Sequence, residues 1–196
     1  MRLTGGEPLL DKNITDLVSG LASIPGVDDL ALTTNGMLLE RMAQPLVAAG
    51  LHRVTISLDS LDDEVFRHMS GGRGSLSKVL EGLHAAERAG LEPIKINVVV
   101  QRGVNDHTVL DLLDYFRGSD HIVRLIEFMD VGNRNGWRLD QVVPSHEVLE
   151  QVGGGHGPGR RERELVGRVD AGERGGDELL AVGDEAVRVG DRQGRG

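Results

Sequence analysis

Gly5-Gly6-Glu7-Pro8 is the first place in the sequence where residue type and spacing could do chemistry. Arg2-Leu3-Thr4 alternates like the end of a strand, and the two glycines follow at once. Glycines at a strand's carboxyl end let a ligand approach the backbone where a Cβ would clash. Pro8 presets φ for a turn or a first helical position. Further polar residues recur at alternate positions of apolar runs: Thr33 and Asn35; Thr55, Ser57 and Asp59; Lys95 and Asn97; Glu127 and Met129. Asp59 and Asp62 read as a strand end and a helix cap rather than as a carboxylate pair. Glu127 with Asp130 is a weak cation candidate, and Gly71 to Gly74 reads as a loop rather than a phosphate cradle. The seven histidines are scattered without metal-ligand spacing.

The elements that must carry these residues alternate between strand and helix as far as about residue 150. Leu9, Leu10, Ile14, Leu17, Val18 and Leu21 fit one helix face, broken by Pro25-Gly26. Leu30 to Thr34 reads as a strand ending in Asn35-Gly36, and Leu38 to Ala49 as a helix capped by Gly50. Arg53 to Leu58, Ile94 to Val100 and Ile122 to Phe128 are further strands. Helices follow from Asp62 or Asp63, from Ser75 or Ser77, after Asn105-Asp106 and after Pro144.

Strands separated by single helices imply parallel pairing with right-handed crossovers. Strands covered on both faces should be apolar on both, yet each strand here carries one polar set. The expected fold is therefore α/β, a partial (β/α) barrel of five strands whose polar sets face one concave surface.

Hydrophobic residues make up 39% of the 196, enough for a packed core, and the net charge is -9. That balance argues against nucleic-acid and membrane-surface binding, while leaving room for a local cationic pocket. There is no cysteine, which excludes disulfides, thiolate metal sites and a cysteine nucleophile. No apolar run approaches the length of a membrane span, so the cytoplasm is the expected compartment. The expected domains are a barrel core over 1–152 and a glycine-rich tail over 153–196. That tail holds 13 glycines and no aromatic residue or lysine, a composition that reads as mostly disordered or out of register with the core.

The string T-G-G-E-P at 4–8 resembles the motif with which radical S-adenosylmethionine (SAM) enzymes hold the SAM amino group. RLTGGEPLL at 2–10, LTTNG at 32–36, AGLHRVTISLDSLD at 49–62, PIKINVVVQRGVND at 93–106 and RLIEFMDVGNRNGW at 124–137 are more specific. Together they make residues 1 to about 150 resemble the molybdenum cofactor biosynthesis protein A family, the radical SAM GTP 3′,8-cyclases. The resemblance implies conversion of GTP to 3′,8-cyclo-7,8-dihydro-GTP by SAM-derived radical chemistry at [4Fe-4S] clusters. It implies SAM contacts at Gly6, supported by Gly5 and Glu7, and at Ser57 and Met129. It implies GTP contacts at Arg2, Thr33 and Lys95, where Arg offers a planar fork to phosphate oxygens and Lys a point charge. A homodimer is compatible with the same resemblance.

The departures from the family concern its clusters. Its cysteine motifs have no counterpart in this sequence, and thiolate-ligated clusters need them. The expectation is a chain truncated relative to the family and inactive as written. The alternative is a noncatalytic remnant that binds nucleotide weakly.

Overall fold

The computed structural model describes residues 1–91, 93–129, 137–154 and 184–188. Five strands run in sequence order: β1 (Arg2–Leu3), β2 (Ala31–Thr34), β3 (Arg53–Ser57), β4 (Lys95–Val100) and β5 (Ile122–Glu127). The helices α1 (Ile14–Ala22), α2 (Leu39–Ala48), α3 (Asp63–Met69), α4 (Leu76–Arg88), α5 (Val109–Tyr115) and α6 (Ser145–Gly154) lie between and after them. β1 pairs parallel with β2 and β2 with β3, as single-helix crossovers require. A sixth strand, β6 (Asp184–Arg188), pairs antiparallel with β5 and completes the order β1-β2-β3-β4-β5-β6. The glycine-rich composition of the tail gives no sign of this strand. Gly153 and Gly154 end α6, while 155–183, 189–196 and Asp130 lie outside the described residues.

The chain divides into two compact units, 1–58 with 66–96 and 59–65 with 97–196. In the first, Leu30, Leu32, Val54, Ile56, Ile94 and Ile96 are buried, as are Leu39 and Leu46 of α2 and Val79 and Leu83 of α4. Those two helices pack on each other, and glycine decides how closely. A Cβ at Gly82 would collide with the Gly36 carbonyl oxygen. Gly36 itself has φ +80°, and a side chain there would press on Ile56 and Val79.

The helix expected from Leu9 to Leu21 is two elements. A 3₁₀ turn covers Pro8–Leu10, and α1 starts only at Ile14. Asp11 accepts the Asn13 N–H and forms a turn between them. The change of helical phase puts Leu10 in solvent, and Leu17 is also exposed, whereas Ile14 and Val18 are buried.

The second unit is built on Val98, Val100, Val109, Leu112, Leu113, Phe116, Val123 and Leu125, all buried. On β4 the expected alternation holds, with Ile96, Val98 and Val100 buried and Lys95, Asn97 and Val99 only partly so. On β5 it is shifted: Val123 and Leu125 are the buried pair and Ile126 is half-buried. The reason is local. Ile122, Arg124 and Ile126 form one alternate set and Val123, Leu125 and Glu127 the other, so both are mixed and the pattern cannot choose between them. Among the described residues, no helix is long and apolar enough to cross a membrane.

Candidate functional site

The loop after β1 is open backbone. Gly5 (φ +105°) and Gly6 (φ +50°) both adopt left-handed conformations, and among the described residues no atom beyond their chain neighbours lies within 4 Å of where their Cβ atoms would sit. These glycines leave room for a ligand rather than for a neighbouring element. Glu7 ties the loop down. It occupies the N-cap of the 3₁₀ turn, and its Oε1 accepts the Leu9 N–H at 3.0 Å. The same oxygen accepts the Thr34 hydroxyl at 2.7 Å, and Oε2 accepts the Asn35 N–H at 2.7 Å. Thr34 is buried and its Oγ1 in turn accepts the Gly36 N–H at 3.1 Å. The Gly-Gly-Glu-Pro loop and the Thr-Thr-Asn-Gly turn are thus one hydrogen-bonded assembly.

Beside it, the Arg2 guanidinium reaches along the sheet. Its Nη1 donates to Thr33 Oγ1 at 3.1 Å and to Thr55 Oγ1 at 2.9 Å. Thr33 and Thr55 are register partners on β2 and β3, which sets their hydroxyls side by side. Ser57 is exposed at the end of β3. Lys95 is partly buried at the start of β4 between the buried Ile94 and Ile96. The first unit therefore contains Arg2, Gly5, Gly6, Glu7, Thr33, Ser57 and Lys95, of which Arg2–Thr33 and Glu7 with the turn after β2 are joined directly. Met129 belongs to the second unit, beyond β5, and is 38% exposed.

Two groups take parts that the sequence did not assign them. Thr55, placed in the polar set but given no role there, is the first, treated below. Asn105 is the second, and it is fully buried in the second unit. Its Nδ2 donates to the Asp59 and Val99 carbonyl oxygens at 2.8 Å each, and its Oδ1 accepts the Gln101 N–H at 2.8 Å. Asp59 Oδ1 accepts the Val99 N–H at 2.8 Å. Burial pushes the Asp59 carboxyl up to about 6, against the opposing pull of that N–H. Asn105 was legible only as a residue before a helix, because a turn asparagine looks the same whether or not it reaches the backbone of another strand. Asp62 does cap α3, accepting the Glu64 and Val65 N–H groups at 2.9 and 3.0 Å. Glu127 serves as a cap for α6, accepting the Ser145 N–H at 2.8 Å and its hydroxyl at 2.6 Å. Among the described residues no cluster of histidine, cysteine, aspartate and glutamate is placed to hold a metal ion.

An open diglycine loop beyond a strand, held by a glutamate and flanked by an arginine, coincides with a family match. The family model for the radical SAM superfamily matches residues 1–116. The chain belongs to the radical SAM superfamily. Its relatives include a GTP 3′,8-cyclase of Xanthomonas campestris pv. campestris (strain B100), 55% identical over 152 residues. That match covers 78% of this chain and 45% of the relative. A GTP 3′,8-cyclase of Acidothermus cellulolyticus is 52% identical over 152 residues, covering 78% and 42%. The chain spans less than half the length of these curated relatives.

Among solved structures, the fold is similar to that of TYW1 with a lysine-pyruvate adduct bound, at TM-score 0.60 and 20% identity, covering 76% of this chain and 47% of that one. It is also similar to Escherichia coli coproporphyrinogen III oxidase, described as a radical SAM enzyme, at TM-score 0.58 and 11% identity, covering 79% and 38%. These likenesses show the fold class, α/β and a partial (β/α) barrel of radical SAM type.

The superfamily implies SAM and an iron–sulfur cluster, and the two fit this chain differently. The open Gly5–Gly6 backbone suits SAM, because no Cβ or neighbour obstructs it. A thiolate-ligated cluster does not fit, because none of the 196 residues is cysteine.

Proposed function

We propose that this chain is the SAM- and GTP-binding core of a GTP 3′,8-cyclase of molybdenum cofactor biosynthesis. The observation that carries the reading is the bridge from Arg2 to Thr33, standing next to the open Gly5–Gly6 loop in a sequence 55% identical to such a cyclase. Arg2, Thr33 and Lys95 bind GTP, with the two cations meeting phosphate oxygens. Gly5 and Gly6 present backbone to SAM, Glu7 holds that loop in place, and Ser57 adds a SAM contact within the same unit. Such sites work by orientation, since reacting atoms held together react faster than atoms that must meet.

No thiolate is available among these residues, so cluster reduction of SAM is not assigned to any of them. That same absence favours a second reading, in which the chain binds nucleotide without turning it over. One experiment separates the two: anaerobic incubation with iron and sulfide, then reductant, SAM and GTP. Release of 5′-deoxyadenosine by this chain would establish turnover. GTP binding that weakens on Arg2→Ala, with no 5′-deoxyadenosine released, would support a binding core only. Unchanged GTP binding by the Arg2→Ala variant would overturn the site assignment itself.

A further inference from the structure

We propose that Thr55 is a positioning residue for Arg2, holding its guanidinium in the orientation that receives an anionic phosphate group. The proposal rests on the reading of Arg2 as a GTP contact. Thr55 is 2% exposed and lies in β3 between Val54 and Ile56, both buried. Valine would fill that space with nearly the same shape and favour the strand equally. A hydroxyl sealed from water is unfavourable unless it finds a partner. The partner here comes from two strands away: Arg2 Nη1 donates to Thr55 Oγ1 at 2.9 Å.

The second half of the argument is geometric. The same Nη1 donates to Thr33 Oγ1 at 3.1 Å, so its two N–H groups go to hydroxyls on adjacent strands. A guanidinium held by one hydrogen bond can pivot about it. Held by two acceptors at one corner, the plane has its direction fixed, because the group is rigid and flat. Thr33 and Thr55 are register partners, so the sheet itself sets the spacing of the two acceptors. An arginine oriented before its ligand arrives loses less side-chain freedom on binding. Thr55 acts through Arg2 and need not touch the nucleotide.

The test is calorimetric titration of GTP into the wild-type chain and into Thr55→Val, Thr55→Ser, Arg2→Ala and the Arg2→Ala/Thr55→Val double variant. We expect Thr55→Val to weaken GTP about tenfold, the scale of one hydrogen bond to a charged group. Thr55→Ser should restore most of the affinity, and Thr55→Val should add nothing once Arg2 is alanine. A loss that persists in the Arg2→Ala background would mark a general structural effect and overturn the proposal. Wild-type affinity in Thr55→Val, with Arg2→Ala weakened, would overturn it while leaving the GTP reading intact. Unchanged binding in Arg2→Ala would instead remove the GTP reading and the role of Thr55 together.

Discussion

Glu7 accepts the Thr34 hydroxyl at 2.7 Å, across 27 positions of sequence, and so fastens the loop after β1 to the end of β2. Three donors converge on this one carboxylate: Thr34 Oγ1, Asn35 N and Leu9 N. Glu7→Ala leaves a buried hydroxyl and two backbone N–H groups short of an acceptor. We expect a loss of about 2 kcal/mol in unfolding free energy, the scale of removing a charged acceptor. Glu7→Gln keeps one carbonyl oxygen but turns a donor toward this cluster, so it should fall between wild type and alanine. Denaturant titration of the three proteins checks the order.

Gly82 lies where α4 meets the turn after β2, and an added Cβ would run into the Gly36 carbonyl oxygen. The obstacle is backbone, which cannot swing aside as a side-chain tip can. Gly82→Ala should therefore destabilise by about 1–3 kcal/mol despite the higher helix propensity of alanine. Gly20, on α1, has no described atom outside its own helix backbone within 4 Å of its Cβ position. Gly20→Ala should be neutral or stabilising, by up to about 1 kcal/mol. Paired thermal melts compare the two substitutions directly.

Asp59 gives the fold a pH dependence of definite sign. Its folded pKa of about 6 lies above the ordinary carboxylate value. Between about pH 4 and the folded value the native chain binds more protons at this site than the unfolded chain. The stability it contributes is full below about pH 4 and is lost as pH rises through the folded pKa. Asp29 works in the opposite sense. Its hydrogen bond and ion pair with Arg53 lower its pKa, so its contribution is present above the ordinary carboxylate value and fades as pH falls through the folded one. The Asp29 pair is largely exposed, so its effect should be small. We expect Asp59→Asn to gain on wild type in unfolding free energy as pH rises from about 4 to about 7. Unfolding curves across that range that run parallel would contradict this.

The elements were legible where period and punctuation agreed. β4 could be read because Lys95, Asn97 and Val99 alternate with Ile96, Val98 and Val100. Gly50 marked a helix end, and it carries positive φ in the structure. β5 was not legible in phase, because both of its alternate sets mix apolar and charged residues. The split between the 3₁₀ turn at Pro8–Leu10 and α1 was missed because both halves carry apolar residues at helical spacing. In the site, Arg2, Gly6 and Thr33 were nominated by strings that resemble the family's motifs, with their places at strands and strand ends only consistent with that. The acceptors that orient Arg2, the clamp at Glu7 and the Asn105 bridge depend on register between strands or on contacts between distant loops, which no single stretch of sequence contains.

The most direct measurement is an amide NMR titration of the wild-type chain with GTP. We expect shifts concentrated at Arg2 to Glu7, Thr33 to Asn35, Thr55 and Lys95, with the Arg2→Ala variant losing most of them. Shifts confined to the outer surfaces of α1 and α2, or a pattern in Arg2→Ala identical to wild type, would contradict the assignment of this polar strip as the GTP site.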